Sequence, residues 1–308
     1  MSASESGHSS GTVLEQVGDN IIHHVSNSSL DHPLIHLPPV FGIDISVTKH
    51  VLMLWVVAAL VSIFVIVPIQ KYMKKEKPVP SGWMNAIEAI VSFIRDSIVK
   101  PNIGTKFSDT WAPIILTFFF FILFANGIGL IPIFDTLGAT SRFLFDVPKG
   151  DDHYFVNKLL HGGATVTGNF NVTAGLAALT FFAIIIAGSK AHGFIAHWKN
   201  LKPKGFSLPI SIMLILIETL GMFVKPFALT MRLAANMTGG HIALLAILSF
   251  MAIFAEMVNP LTGIGLSLFA VPMAAAISGL EIIVVLVQAY VFTLLSAVFI
   301  GMAINVHH

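Results

Sequence analysis

Long apolar runs alternate with short polar intervals along this chain, and the spacing inside each run predicts its element. The first run covers about residues 51–69. In residues 83–100, Trp83, Ile87, Ile90, Val91, Ile94 and Ile98 recur at helical spacing, with Asn85, Glu88, Ser92, Arg95 and Asp96 on the other side. That pattern predicts an amphipathic helix lying at a membrane interface, too polar to span. Residues 111–131 and about 172–189 are apolar and long enough to cross a bilayer, with a polar, glycine-containing segment at 134–170 between them. Residues 208–257 then stay apolar for 50 positions and 261–305 for 45 more. A 50-residue helix is about 75 Å long, whereas the hydrocarbon slab is about 30 Å thick. Several short spans, or two long and steeply tilted helices, satisfy that mismatch. Asn259-Pro260 is the one clear break, which favours a single hairpin leaning about 65° from the membrane normal. The expectation is an all-α polytopic membrane protein with about five membrane-embedded helices plus an interfacial helix, the last two helices forming a tilted hairpin over 208–305.

Charge sets the orientation. Lys71, Lys74, Lys75 and Lys77 follow the first span, against Lys49 alone before it, and Lys190, Lys199, Lys202 and Lys204 follow the third. By the positive-inside rule these clusters are cytoplasmic. A polar N-terminal segment, 1–46, is therefore outside, as is 134–170 with Asp135, Asp146, Asp151 and Asp152. The membrane domain runs from 47 to 308 with the C-terminus cytoplasmic. Residues 1–46 lack the charged and apolar regions of a cleavable signal peptide.

Composition agrees and excludes several chemistries. The 308 residues are 55% hydrophobic and only 11% charged, with mean hydropathy +0.84, where a soluble domain carries about 25% charged residues. Net charge is +1, which gives no case for nucleic acid. Without cysteine there is no disulfide, thiol catalysis or Cys-ligated metal. No GxxxxGK[ST] or HExxH motif occurs, so neither that nucleotide loop nor that zinc-hydrolase site is expected, and no cofactor is implied. Thirteen histidines stand out, six of them (His8, His23, His24, His32, His36, His50) ahead of the first apolar run. That head is either a solvated tail or a metal-binding segment.

Across residues 205–308 the charged side chains are Glu218, Lys225, Arg232, Glu256 and Glu281. At about 100° per residue Glu218, Lys225, Arg232 and Asn236 share one helix face. An arginine deep in an apolar run costs several kcal/mol, so it marks a functional pathway by default. In an antiparallel hairpin turning at 260 and 261, facing positions sum to about 520 to 522, which sets Arg232 opposite Gln288 and His241 opposite Glu281. Arg232 lies 28 residues from Pro260, about 42 Å of helix, which the tilt converts to about 17 Å of depth, near mid-membrane. His241 and Glu281 lie nearer the outer face, Glu218 nearer the cytoplasm, and Glu256 at the outer water boundary. Lys225 can extend its stem to an interface. Asn126, near the end of the second span, is expected to bond a neighbouring helix.

The run KPFALTMRLAANMTGGH, from Lys225 to His241, resembles the a subunit of rotary F-type ATP synthase. So do LEIIVVLVQAY, carrying Glu281 and Gln288, FANGIGLIP from Phe124 to Pro132 and NFNVT from Asn169 to Thr173. The resemblance implies ion conduction beside a rotating c-ring in a bacterial-type inner membrane, with peripheral-stalk b subunits as further partners. Protons would enter one half-channel, protonate a ring carboxylate, and leave by a second, offset half-channel. Arg232 matches the family's arginine between the half-channels. A permanent cation favours the ionised form of a passing carboxylate and repels a proton crossing directly, and a guanidinium holds its charge where an ammonium can lose it. His241 and Glu281 match the two inlet positions, Glu218 the acidic residue of the cytoplasmic half-channel, and Asn236 and Gln288 the polar neighbours of the arginine. The last two either line a channel or bond helix to helix. Asn169 falls where some members carry an acidic residue near the channel mouth.

Two other classes remain. A self-contained proton-coupled transporter predicts inverted repeats with broken helices in both halves, whereas buried charge is confined to the C-terminal half. A purely structural anchor gives no reason for an arginine near mid-membrane.

Overall fold

The computed structural model describes residues 17–18, 21–22, 33–39, 42, 44, 46–74, 79–131, 140, 143, 165–199 and 208–305. Among the described residues, five helices are long and apolar enough to cross a membrane. The first, α1 (Lys49–Met73), outruns the expected 51–69 by a few residues at each end. Ser62–Ile66 within it is π-helical, and Pro68 shortly after has no N–H for the Phe64 carbonyl four residues back. The Trp83 indole donates to that carbonyl at 2.8 Å, so a backbone group freed by proline inside an apolar helix finds a partner.

Trp83 opens α2 (Trp83–Phe93), which continues through a π-helical stretch, Ile94–Val99, into Lys100–Ile103. This is the amphipathic helix expected over 83–100, extended by about one turn. Ile87, Ile94, Ile98 and Ile103 are buried, while Asn85, Glu88, Arg95 and Asp96 are exposed. Asp96 lies 2.7 Å from Lys100 and 3.2 Å from Arg95. Hydrogen bonds from those two cations hold its carboxyl below the usual carboxylate range.

Gly104, at φ +90, turns the chain into α3 (Thr105–Leu130). After a 3₁₀ turn at Val166–Gly168, Asn169 caps α4 (Phe170–His192), its side chain accepting from the Asn171 N–H at 2.8 Å. A short α5 (Phe194–Lys199) follows Gly193. Of the expected segment at 134–170, residues 134–164 lie outside the described residues save positions 140 and 143, as do Lys75, Lys77, Lys202 and Lys204. The long pair is α6 (Leu208–Met257, 50 residues) and α7 (Pro260–Ile304, 45 residues). Each is one unbroken helix despite Pro226 and Pro272, so two long helices replace the alternative of several short spans.

The chain packs as two compact units, one holding residues up to Lys49, Phe134–Ala164 and Thr238–Glu281, the other His50–Ile133, Thr165–Met237 and Ile282–His308. In the second unit α2, α3, α4 and the adjoining parts of α6 and α7 share one apolar core. Phe118 meets Phe292 edge to face at 5.5 Å, and Leu229 and Leu233 turn one face of α6 inward. Polar side chains tie helices together inside this core. Thr167 donates to Asn126 Oδ1 at 2.5 Å, and the hydroxyls of Thr180 and Ser296 meet at 3.2 Å. Asn126, near the C-terminal end of α3, therefore bonds the 3₁₀ turn that precedes α4, where a neighbouring helix was the expected partner. At its C-terminal end α7 lies so close to α2 that a side chain at Gly301 would collide with the Asn102 carbonyl. His192 pairs there with the Ile304 carbonyl at 2.8 Å.

Candidate functional site

In the second unit α6 buries Leu229 and Leu233 and exposes Phe223, Phe227 and Met231. Arg232, Ala228, Ala235 and Asn236 are exposed too and share a face of their own. A guanidinium thus stands beside small side chains, Ala228 and Ala235, on an outward-facing surface. Among the described residues no carboxylate lies within ion-pair distance of it.

The expected register set Gln288 opposite Arg232. Instead, Gln288 Oε1 accepts from Asn236 Nδ2 at 3.0 Å, one helical turn farther along α6. Gln288 is buried, and a buried amide oxygen needs a donor; the neutral amide of Asn236 supplies it and leaves the arginine outside the pair. Asn236 and Gln288 are thus brought together as helix-to-helix partners.

Toward the start of α6, Lys225 turns its ammonium inward, not along its stem to an interface. Nζ is 3.8 Å from Glu218 Oε1 and 5.7 Å from the centre of the Phe299 ring. Proline at 226 and the buried Thr230, bonded to the Pro226 carbonyl at 3.1 Å, fix this stretch of helix. Glu218 stays more than half exposed.

In the first unit His241 Nδ1 stands 3.8 Å from Glu281 Oε1, with side chains 27% and 12% exposed. These two residues, forty positions apart, meet as their facing positions predicted. The gap is longer than a direct hydrogen bond and fits an ion pair, or a pair bridged by water. Gly240 makes room for the carboxylate. A Cβ at this position would strike Glu281 Oε1 and lie 3.2 Å from Cδ and 3.3 Å from Cγ, whereas one at Gly239 would meet nothing within 4 Å.

Gly240 went unnoticed in the sequence, although a signal existed. Consecutive glycines in a long helix cost about 1 kcal/mol each relative to alanine, so one of them marks a close approach. Glu256, near the turn, is exposed. Asn169 is buried and occupied as the cap of α4, which accounts for it structurally. Of the N-terminal histidines His36 is exposed and His50 buried; His8, His23, His24 and His32 lie outside the described residues. Among the described residues no cluster of three or more histidines and carboxylates is placed to hold a metal.

Comparison with known proteins joins these observations. A family model described as ATP synthase A chain matches residues 51–301. The chain is 41% identical over 297 residues to "ATP synthase subunit a 2" of Chlorobium luteolum, covering 94% of this chain and 76% of that protein. It is 39% identical over 304 residues to "ATP synthase subunit a" of Chlorobium phaeobacteroides, covering 96% and 78%. With the protein of the same description from Anaeromyxobacter dehalogenans it shares 36% over 316 residues, covering 96% and 72%.

Proposed function

The chain belongs to the ATP synthase A chain family, and on that premise we propose that it carries two offset half-channels that deliver protons to and from a c-ring carboxylate. As a stator subunit of the membrane sector it has a coarse role set by family; the half-channels and their residues are our reading. The observation that carries it is Arg232, exposed on an apolar helix face without a carboxylate from the described residues within reach. A guanidinium in an apolar medium requires a counter-charge. If none comes from its own chain, a second chain must bring it, and a ring carboxylate passing along this face meets the requirement each time a ring subunit arrives.

Arg232 attracts the ionised carboxylate, so that a proton arriving from the inlet is released only on the outlet side. Its charge also blocks a proton from crossing directly between the half-channels. His241 and Glu281 form the inlet relay: an imidazole and a carboxylate at 3.8 Å exchange a proton through one bridging water. Glu218 is the acidic group of the cytoplasmic half-channel, with Lys225 as its countercharge. The Asn236–Gln288 bond keeps the helices apart at the arginine's level by a fixed spacing. Asn169 and Glu256 play secondary parts, at the channel mouth and at the outer water boundary.

The N-terminal segment and 134–170 lie outside and the C-terminus in the cytoplasm of a bacterial-type inner membrane. The c-ring and peripheral-stalk b subunits are the protein partners. The reading is tested by ATP synthesis in membrane vesicles energised by a proton gradient. Arg232→Ala abolishes synthesis, and Arg232→Lys nearly does so, since an ammonium can surrender its proton where a guanidinium does not. Near-normal synthesis in the lysine variant refutes the separator role.

A further inference from the structure

A lysine stem is long and flexible, and on an apolar helix it ordinarily carries its ammonium outward to the nearest water. Lys225, in the second unit, does otherwise. Its side chain is only 25% exposed, and Nζ stands 3.8 Å from Glu218 Oε1. Seven residues bring the two positions to within about 20° of one helix face but set them about 10 Å apart along the axis. The lysine stem must therefore lie along α6 toward its N-terminal end, the direction in which helical side chains already lean. Two intervening positions share that face. Gly221 has no side chain, and a Cβ there would meet nothing within 4 Å, whereas Met222 is buried. Neither interposes a side chain between the two charges.

An open path does not by itself hold an ammonium in place. Glu218 is more than half exposed, and an ion pair between flexible, exposed groups is weak. The second contact comes from α7. The centre of the Phe299 ring lies 5.7 Å from Nζ, inside the range of about 6 Å over which the negative face of an aromatic ring attracts a cation. Phe299 is partly buried and packs against the apolar core of this unit, so the ring is fixed while the lysine stem is not. The two contacts also differ during a proton cycle. A protonated Glu218 exerts no ionic pull on the ammonium, whereas the ring has no proton to gain and attracts the cation throughout. The ammonium is therefore still in place to pair with the carboxylate that forms when the proton leaves.

We propose that Phe299 is a positioning residue of the cytoplasmic half-channel: its ring holds the Lys225 ammonium beside Glu218 while a proton passes from that carboxyl to water. The proposal rests on the reading of Glu218 as the acid of that half-channel. It is tested by proton-driven ATP synthesis in vesicles, with the assembled complex and at matched levels of the subunit. Phe299→Leu keeps an apolar side chain and removes the ring face. Synthesis should fall roughly 2- to 30-fold, the range that a cation–π contact spans. Phe299→Tyr keeps a ring and should recover most of that loss. Lys225→Met should lower synthesis by itself, and adding Phe299→Leu to it should cost little more, because no cation is left to hold. A loss from Phe299→Leu equally large with and without Lys225 would show that the ring only packs, and would overturn the proposal. Near-normal synthesis in Phe299→Leu, or a Phe299→Tyr variant as impaired as Phe299→Leu, would overturn it too. Glu218→Gln separates the two readings. A severe loss there, beside additive effects at 299 and 225, removes only the role of the ring. Normal synthesis in Glu218→Gln removes the half-channel acid, and the role of the ring with it.

Discussion

Replacing Gly240 by alanine adds one methyl group to α6 at the point where Glu281 seats its carboxylate. The added carbon would overlap Oε1 and crowd Cδ and Cγ at 3.2 and 3.3 Å. The obstructing atoms belong to the end of a side chain, so the carboxylate can swing aside, but it then leaves the position 3.8 Å from His241. Displacement into an unfavourable rotamer or a crowded site costs about 1–3 kcal/mol. Helix propensity works in the opposite direction, since alanine is favoured over glycine by about 0.8–1.0 kcal/mol. Stability should therefore change little while the His241–Glu281 geometry is lost. If a proton must still reach the displaced carboxylate, the same 1–3 kcal/mol corresponds to a roughly 5- to 150-fold slower transfer. Gly239→Ala is the control, because a methyl there enters open space. Both variants are assayed for proton-driven ATP synthesis in vesicles at matched levels of the subunit. Gly240→Ala should fall by that factor and Gly239→Ala should not. Equal activity in the two would refute the idea that a seated carboxylate at 281 carries the inlet proton.

Two other outcomes follow from particular contacts. Exchanging the pair, His241→Glu with Glu281→His, should restore more proton-driven synthesis than His241→Glu alone, which sets two carboxylates face to face; a swap no better than the single change would show that the residues act independently. Thr167→Val removes the donor to Asn126 Oδ1, whose Nδ2 is already buried without a hydrogen-bond partner. Thermal unfolding of the purified subunit in detergent should register a loss of about 1–3 kcal/mol, and Asn126→Leu combined with Thr167→Val should recover most of it.

Much of this architecture was legible because a bilayer imposes a coarse rule on sequence. Every span needs a long apolar run, so the five membrane helices could be read from hydropathy, and the Asn259-Pro260 break fixed the hairpin. The same rule exposed Arg232, Glu218, His241 and Glu281, since a charge in such a run is costly wherever it sits. Finer features depend on contacts between segments distant in the chain and leave weaker traces. The amide of Gln288 goes to Asn236 and not toward Arg232, because side-chain reach and rotation decide partners once the register has brought several polar groups near one another. Lys225 looked free to reach an interface, yet Glu218 seven residues earlier and Phe299 on α7 hold its ammonium. The π-helical stretches in α1 and α2 were not anticipated, although Pro68 and Pro101 supply a local reason for both.

The central claim is that Arg232 faces a carboxylate on another chain. Ala228 and Ala235 flank it on the exposed face of α6, and Leu229 and Leu233 point into the core behind it. The native chain has no cysteine, so a cysteine placed at each of these four positions reports on its own surroundings. With a second cysteine next to the ring carboxylate, oxidation of the intact complex should link the ring to positions 228 and 235. It should leave 229 and 233 unlinked, and rotation-coupled ATP hydrolysis should stop only in the linked samples and resume on reduction. Linking from 229 or 233, or no link from 228 and 235 while the complex remains coupled, would contradict the account.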